Sequence, residues 1–249
     1  MKRSLCGNAV LAVIVLLFLL PLLMITWNAV VIQSDGGTQL TLTGFRTLLF
    51  DPALMRRFAN SALITLPAML LSLVLSASFS LLLSRAHAPV RKGLLAMLLV
   101  LFLLPFQCYM LPLFQLCKVI GLYDHRLVLI LFESFSPMGP LLLYAFLRTI
   151  PEEQWEAAGL ETNSQLRIFR SIILPQELPA LGLLLIFTFV ESWNLVEPAV
   201  ILLQHEEIKP VSVSLNDFHG VSWAAAALYC LPSVTIACSF CILYRFRRK

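Results

Sequence analysis

Four stretches of the chain carry no Asp, Glu, Lys or Arg: Ser4 to Ser34, Phe58 to Ser84, Gly93 to Cys117, and Phe218 to Tyr244. Each exceeds the roughly 20 residues that cross a bilayer as a helix. Two more apolar runs are interrupted only by acids, Leu127 to Leu147 by Glu133 and Leu178 to Gln204 by Glu191 and Glu197. The pattern predicts six transmembrane helices, near 9–32, 59–84, 94–116, 126–147, 179–203 and 223–244. A membrane barrel would show shorter segments alternating in polarity, so strands are not expected. The fold class is an all-α integral membrane protein.

Composition agrees. Of 249 residues, 59% are hydrophobic and 13% charged, against about 45–50% and about 25% in soluble domains. A soluble enzyme, a disordered tail and a nucleic-acid reader are excluded. The net charge of +4 is a matter of topology. Six spans put both termini on one side, and that side holds twelve of the 18 basic residues: Lys2, Arg3, Arg85, Arg91, Lys92, Arg148, Arg167, Arg170, Arg245, Arg247, Arg248 and Lys249. The other six are Arg46, Arg56, Arg57, Lys118, Arg126 and Lys209. The bias places both termini in the cytoplasm and needs no nucleic-acid partner. Met1-Lys2-Arg3 before an apolar run has the form of a signal peptide, but the run is too long and no A-x-A site follows, so the first helix is expected to be retained.

Cys238-Ser-Phe-Cys241 has the CxxC spacing of redox or metal chemistry. It also fits two small side chains one turn apart on a buried helix. With four scattered histidines, no metal site and no cofactor are expected.

The chain divides into a first helix with its external segment, 1–57, and a five-helix core, 58–249. Segments near 33–57 and 204–222 lie outside the bilayer on one side, the former with Asp35-Gly36-Gly37 as a turn. A third, 148–178, is cytoplasmic. Thr149-Ile-Pro-Glu152 reads as a capping box with proline in the first turn. From it runs a helix with Trp155, Ala158, Gly159 and Thr162 on one face; Ser164 can cap a second, ended by Pro175. A plain connection needs about 2–8 residues. This longer two-helix loop is built to dock on a protein, the alternative being an interfacial helix lying on lipid.

Glu156-Ala157-Ala158, with Ile172-x-Leu174-Pro175 beyond it, resembles the EAA loop of ABC importer permeases. Pro105 and Pro112-Leu-Phe, Gly121-Leu-Tyr, Asn60-Ser61, Ser192-Trp193-Asn194 with Pro198, and Ala224 to Pro232 resemble the maltose-type carbohydrate subfamily in the same order. The resemblance implies an inner-membrane permease subunit of a bacterial importer, with a second related permease, two ATPase subunits and an external solute-binding protein as partners. It implies that Glu156 pairs with a basic residue of the ATPase, while Ala157 and Ala158 allow close approach. Where the family reads D-G-A, this chain has Glu161, Thr162 and Asn163, and threonine resists the positive φ of a sharp turn. The chain ends at Lys249, where members often carry a longer tail towards the ATPase; both departures leave the strength of coupling open and the class unchanged. No phosphate-cradling Gly-rich loop occurs, so the chain is not an ATPase itself.

A carboxylate at mid-membrane costs about 2.5–3.5 kcal/mol on the lenient scale and should face a cavity or a partner. Glu133 precedes Ser-Phe-Ser-Pro-Met-Gly-Pro, which loosens its helix. Glu191-Ser-Trp193-Asn194 offers an acid, a hydroxyl, an aromatic face and an amide, the kit that binds sugars. Glu133, Glu191, Trp193 and Asn194, with Phe106, Gln107 and Tyr109 between two prolines, are the candidate solute-pathway residues; hydrogen bonds between helices are the alternative use. The expected solute is a carbohydrate or polyol derivative. A phosphonate, polyamine or amino acid remains open, as do an intramembrane enzyme, which lacks a nucleophile–base pair here, and a secondary transporter, which should show inverted repeats.

Overall fold

The computed structural model describes residues 2–34, 37–151, 153–154, 174–215 and 222–247. Helix α1 (Lys2–Val30) runs through Pro21 without a break. It leads into a short antiparallel hairpin, β1 (Val31–Ser34) with β2 (Gly37–Leu40), in which Val31 pairs with Leu40 and Ser34 with Gly37. This hairpin is the departure from an all-helical chain. It stands at the segment read as external, where four-residue strands without alternating polarity do not stand out beside the apolar runs.

Helix α2 (Thr43–Leu49) buries Leu48. Asp51 then caps α3 (Pro52–Arg85), its side chain accepting from the Ala53 amide at 2.9 Å, with Pro52 at the first position where no amide is needed. The cap starts α3 two turns before its apolar run, so the helix exceeds the expected 59–84. Along α3, Ile64, Ala68, Ser72, Ser76, Ser80 and Leu83 are buried. Serines at about four-residue spacing make a thin face on which neighbouring helices lie close.

The span expected at 94–116 is two helices, α4 (Ala88–Leu103) and α5 (Phe106–Val119), meeting at 94°. Pro105 forces the turn: it lacks the amide of a continuing helix and pushes Leu104 to extended backbone, φ −71° and ψ 119°. The span at 126–147 keeps its boundaries but is interrupted, as α6 (Arg126–Ser134) and α7 (Met138–Leu147) around Pro137. The span at 179–203 likewise divides into α8 (Leu174–Trp193) and α9 (Glu197–Leu202), with Pro198 in the first turn of α9. Helix α10 (Ser222–Arg247) closes the chain. Among the described residues, Pro52–Arg85, Arg126–Leu147, Leu174–Trp193 and Trp223–Phe240 are long and apolar enough to cross a membrane, and the α4–α5 pair makes a fifth if taken as one span.

Packing centres on α3, against which α6, α7 and α8 lie. Leu143, Ala180, Leu181 and Leu184 form the core between α7 and α8. Ala29, Leu48, Leu54, Phe189, Trp193, Ala224 and Ala225 join α1, α2, α3, α8 and α10. A Cβ on Gly139 would collide with Ser76 and lie 3.3 Å from Leu184, so the glycine is what lets α7 sit on α3. The outer surface stays apolar, with Phe18 78%, Leu103 75% and Leu17 64% exposed, as expected of a surface that meets lipid or another apolar protein face.

Candidate functional site

The three helix breaks meet. A cavity of about 900 Å³ is lined by Phe106 and Tyr109 of α5, Phe132 and Glu133 of α6, the Phe135–Pro137 break, and Glu191, Asn194 and Glu197 at the α8–α9 break. Interrupted helices leave backbone groups without intrahelical partners, which apolar surroundings tolerate only beside protein or water.

Phe106 packs edge-on against Tyr109 at 5.5 Å and Phe132 at 5.4 Å, forming an aromatic shelf on one wall. Glu133 is 9% exposed. Its Oε2 accepts from the Ser192 hydroxyl at 2.9 Å, which ties α6 to α8. Gln107 Nε2 donates to Glu197 Oε2 at 2.7 Å and closes α5 onto α9. Asn194 Nδ2 donates to the Val190 carbonyl at 2.7 Å, while its Oδ1 accepts from the Tyr229 hydroxyl at 2.5 Å.

Six of the seven residues expected to line a solute path are thus gathered here, Gln107 through its bond to Glu197. Trp193 is not among them. It is 4% exposed, stacked on Phe189 at 5.4 Å and Tyr229 at 6.1 Å, with Nε1 donating to the Tyr229 carbonyl at 3.1 Å. Its role is to fasten α8 to α10. Sequence reasoning missed Phe132 and Tyr229; an aromatic beside Glu133 was the available signal for the first, and the second lies within the Ala224 to Pro232 stretch without being singled out there.

Of the residues expected to couple to an ATPase, Glu156, Ala157, Ala158, Thr162 and Ile172 lie outside the described residues. Leu174 and Pro175 form the first turn of α8, Leu174 packing on the α7–α8 core. Gln176 Nε2 donates to Gln154 Oε1 at 2.9 Å, joining the two ends of the loop. One turn into α8, Glu177 is 2% exposed, and neither carboxylate oxygen has a hydrogen-bond partner among the described residues.

At the other end of the bundle, Asn60 anchors the segment after α9. Its Nδ2 donates to the carbonyls of Glu207 at 2.7 Å and Lys209 at 3.0 Å, and its Oδ1 accepts from Arg126 Nη2 at 2.8 Å. The Val211 amide donates to Ser61 Oγ at 2.9 Å. Asp124 grips the same segment, accepting from the Gln204 amide at 2.7 Å, the His205 amide at 3.0 Å and the His205 ring. Burial raises the Asp124 carboxyl, but these hydrogen bonds and the His205 charge outweigh it and hold the group below the ordinary carboxylate value.

Residues 76–245, from the middle of α3 through α10, match the family described as binding-protein-dependent transport system inner membrane component. The chain belongs to that family. As an inner-membrane component of such a system, it is 26% identical over 258 residues to the maltodextrin transport system permease protein MdxG of Bacillus subtilis, covering 100% of this chain and 93% of that protein. It is 29% identical over 185 residues to the polygalacturonan/rhamnogalacturonan transport system permease protein YtcP of the same organism, covering 74% of this chain and 64% of that one. Its fold superimposes on a chain of a bacterial ABC transporter involved in import of the acidic polysaccharide alginate, with a TM-score of 0.77, 18% identity, and 95% and 94% of the two chains covered. Transport is the component's work, and its sequence carries no ATPase motif.

Proposed function

We propose that the chain is the permease subunit of a binding-protein-dependent ABC importer for a carbohydrate or polyol derivative, forming half of the solute pathway. The observation that supports this reading most is the cavity at three helix breaks, where carboxylates and an amide face an aromatic shelf. Hydroxyl-rich rings are held by such a pairing of planar polar groups and aromatic faces. The relatives' names, maltodextrin and polygalacturonan/rhamnogalacturonan, point the same way.

In this reading six spans put both termini in the cytoplasm, with residues 1–57 as an outer helix and segment and 58–249 as the transport core. The loop 148–178 receives two ATPase subunits shared with a second permease, through Glu156, Ala157, Ala158, Thr162, Ile172, Leu174 and Pro175. The segments near 33–57 and 204–222 face a solute-binding protein. The Gln154–Gln176 bond makes the loop a closed handle. When ATP draws the ATPases together, the handle tilts α7 and α8, and the Ser192–Glu133 bond passes the motion of α8 to the cavity wall on α6.

Glu156→Lys reverses the charge at the expected dock. The variant is expected to insert at normal levels, to lose co-purification with the ATPase, and to lose at least about 90% of uptake, since reversing one partner of a desolvated charge pair costs several kcal/mol. Normal uptake with Glu156→Lys overturns the docking role.

A further inference from the structure

Resting on the reading of the cavity as a solute pathway, we propose that it selects by charge: this half of the path accepts saccharides without carboxylates and rejects uronates. The acidic and basic side chains lining it among the described residues are Glu133, Glu191 and Glu197, with no Lys, Arg or His. The basic residues of α5 and α6 are engaged elsewhere. Lys118 sits over the rings of Phe114 and Tyr123, at 4.5 and 5.2 Å, and Arg126 donates to Asn60.

Glu133 adds a demand of its own. With Oε2 taken by Ser192, its Oε1 has no hydrogen-bond partner among the described residues, in a side chain 9% exposed on the cavity wall. An acceptor left open on the cavity wall is free to take a donor from whatever occupies the cavity. A sugar hydroxyl or ammonium supplies one. A uronate carboxylate would lie in an apolar cavity whose lining offers acids and no cation to pair with it, and an unpaired desolvated carboxylate is costly. Family membership does not settle the matter, because the similar proteins include one for polygalacturonan/rhamnogalacturonan and one for alginate.

The test uses the complete complex, with its second permease and ATPases, in lipid nanodiscs at low salt. Equilibrium dialysis would compare labelled maltotriose, a glucosamine trimer and trigalacturonate, for the unaltered chain, Glu133→Gln and Glu191→Lys. Maltotriose and the glucosamine trimer are expected to bind, and trigalacturonate to bind more than about tenfold more weakly. Glu191→Lys, at an exposed position, should shrink that gap to less than about threefold. Glu133→Gln, which keeps an acceptor for Ser192, should shrink it in part. Trigalacturonate binding as tightly as maltotriose, or a gap unmoved by both variants, overturns charge selection while leaving the saccharide reading intact. If no trisaccharide binds to a complex that still hydrolyses ATP, the saccharide reading itself fails and this inference with it.

Discussion

Asp124 holds φ at +63°, a left-handed conformation that a short side chain bonding to nearby backbone can sustain. Its position is reciprocal: its own amide donates to the Leu202 carbonyl at 3.0 Å while its carboxylate receives two amides from the segment beyond α9. Because the folded carboxyl lies below its ordinary value, its stabilisation is complete above the unfolded pKa of about 4 and is lost as pH falls through the folded value. Asp124→Ala is expected to lower stability by about 2 kcal/mol at neutral pH, and the difference should begin to narrow as pH falls below about 4. Melting curves of the detergent-solubilised protein between pH 2 and pH 8 check both; a difference that does not narrow at all towards acid pH means that the carboxylate is not the cause. Such a clasp was not legible in the sequence, since Asp124 and His205 are 81 residues apart and only the folded chain joins them. Glu133 and Glu191 were legible, because an acid at membrane depth must find a cavity or a partner. Trp193 shows the opposite case. It shares a short polar motif with Glu191, yet at about 100° per residue a helix turns i and i+2 to opposite sides, and the bulk of tryptophan sent it to the core.

Proline reads differently at the level of the helix. Pro21, Pro67, Pro112, Pro179 and Pro232 lie inside continuous helices, whereas Pro105 marks a 94° corner. The residue type announces a lost hydrogen bond, and neighbouring helices decide whether the chain bends around it. That is why the hydropathy of 94–116, unbroken across the corner, implied one straight span. Glycine can be tested more cleanly. At Gly139 a Cβ would strike Ser76 of α3, and at Gly182 it would strike the Phe240 ring of α10, while Gly93 has nothing within 4 Å. Gly139→Val is expected to cost about 3 kcal/mol by forcing α7 off α3. Gly93→Ala, in an open stretch of α4, should stabilise by about 0.5 kcal/mol. Thermal midpoints of the two variants in the same detergent decide: equal shifts would mean that the α3–α7 approach is not tight.

At the scale of the whole chain, the two ends of the bundle carry different chemistry. One end holds the folded cap of Asn60, Arg126, Asp124 and residues 204–215, where carboxylates and basic side chains offset one another: Arg56 lies 3.5 Å from Glu207, Arg57 lies 3.9 Å from Glu206, and Lys209 also pairs with Glu206. The other end carries Arg85, Arg91, Lys92 and Arg148, with no Asp or Glu between Arg85 and Lys92. Basic residues in short connections are held on the cytoplasmic side, so the topology proposed above puts the cap outside, where a solute is delivered, and the loop 148–178 inside, where ATP is. Single cysteines in a background without the native ones test this arrangement. Glu206→Cys, at a side chain 63% exposed, is expected to react with a membrane-impermeant maleimide in intact cells. Arg91→Cys and Ser4→Cys should react only after lysis, the latter because α1 has to cross the bilayer for both termini to share a side. Labelling of Ser4→Cys in intact cells would leave five crossings and put the first helix on the membrane surface. Labelling of Arg91→Cys would invert the bundle, placing the coupling loop away from ATP, and would remove the ground for reading it as a handle.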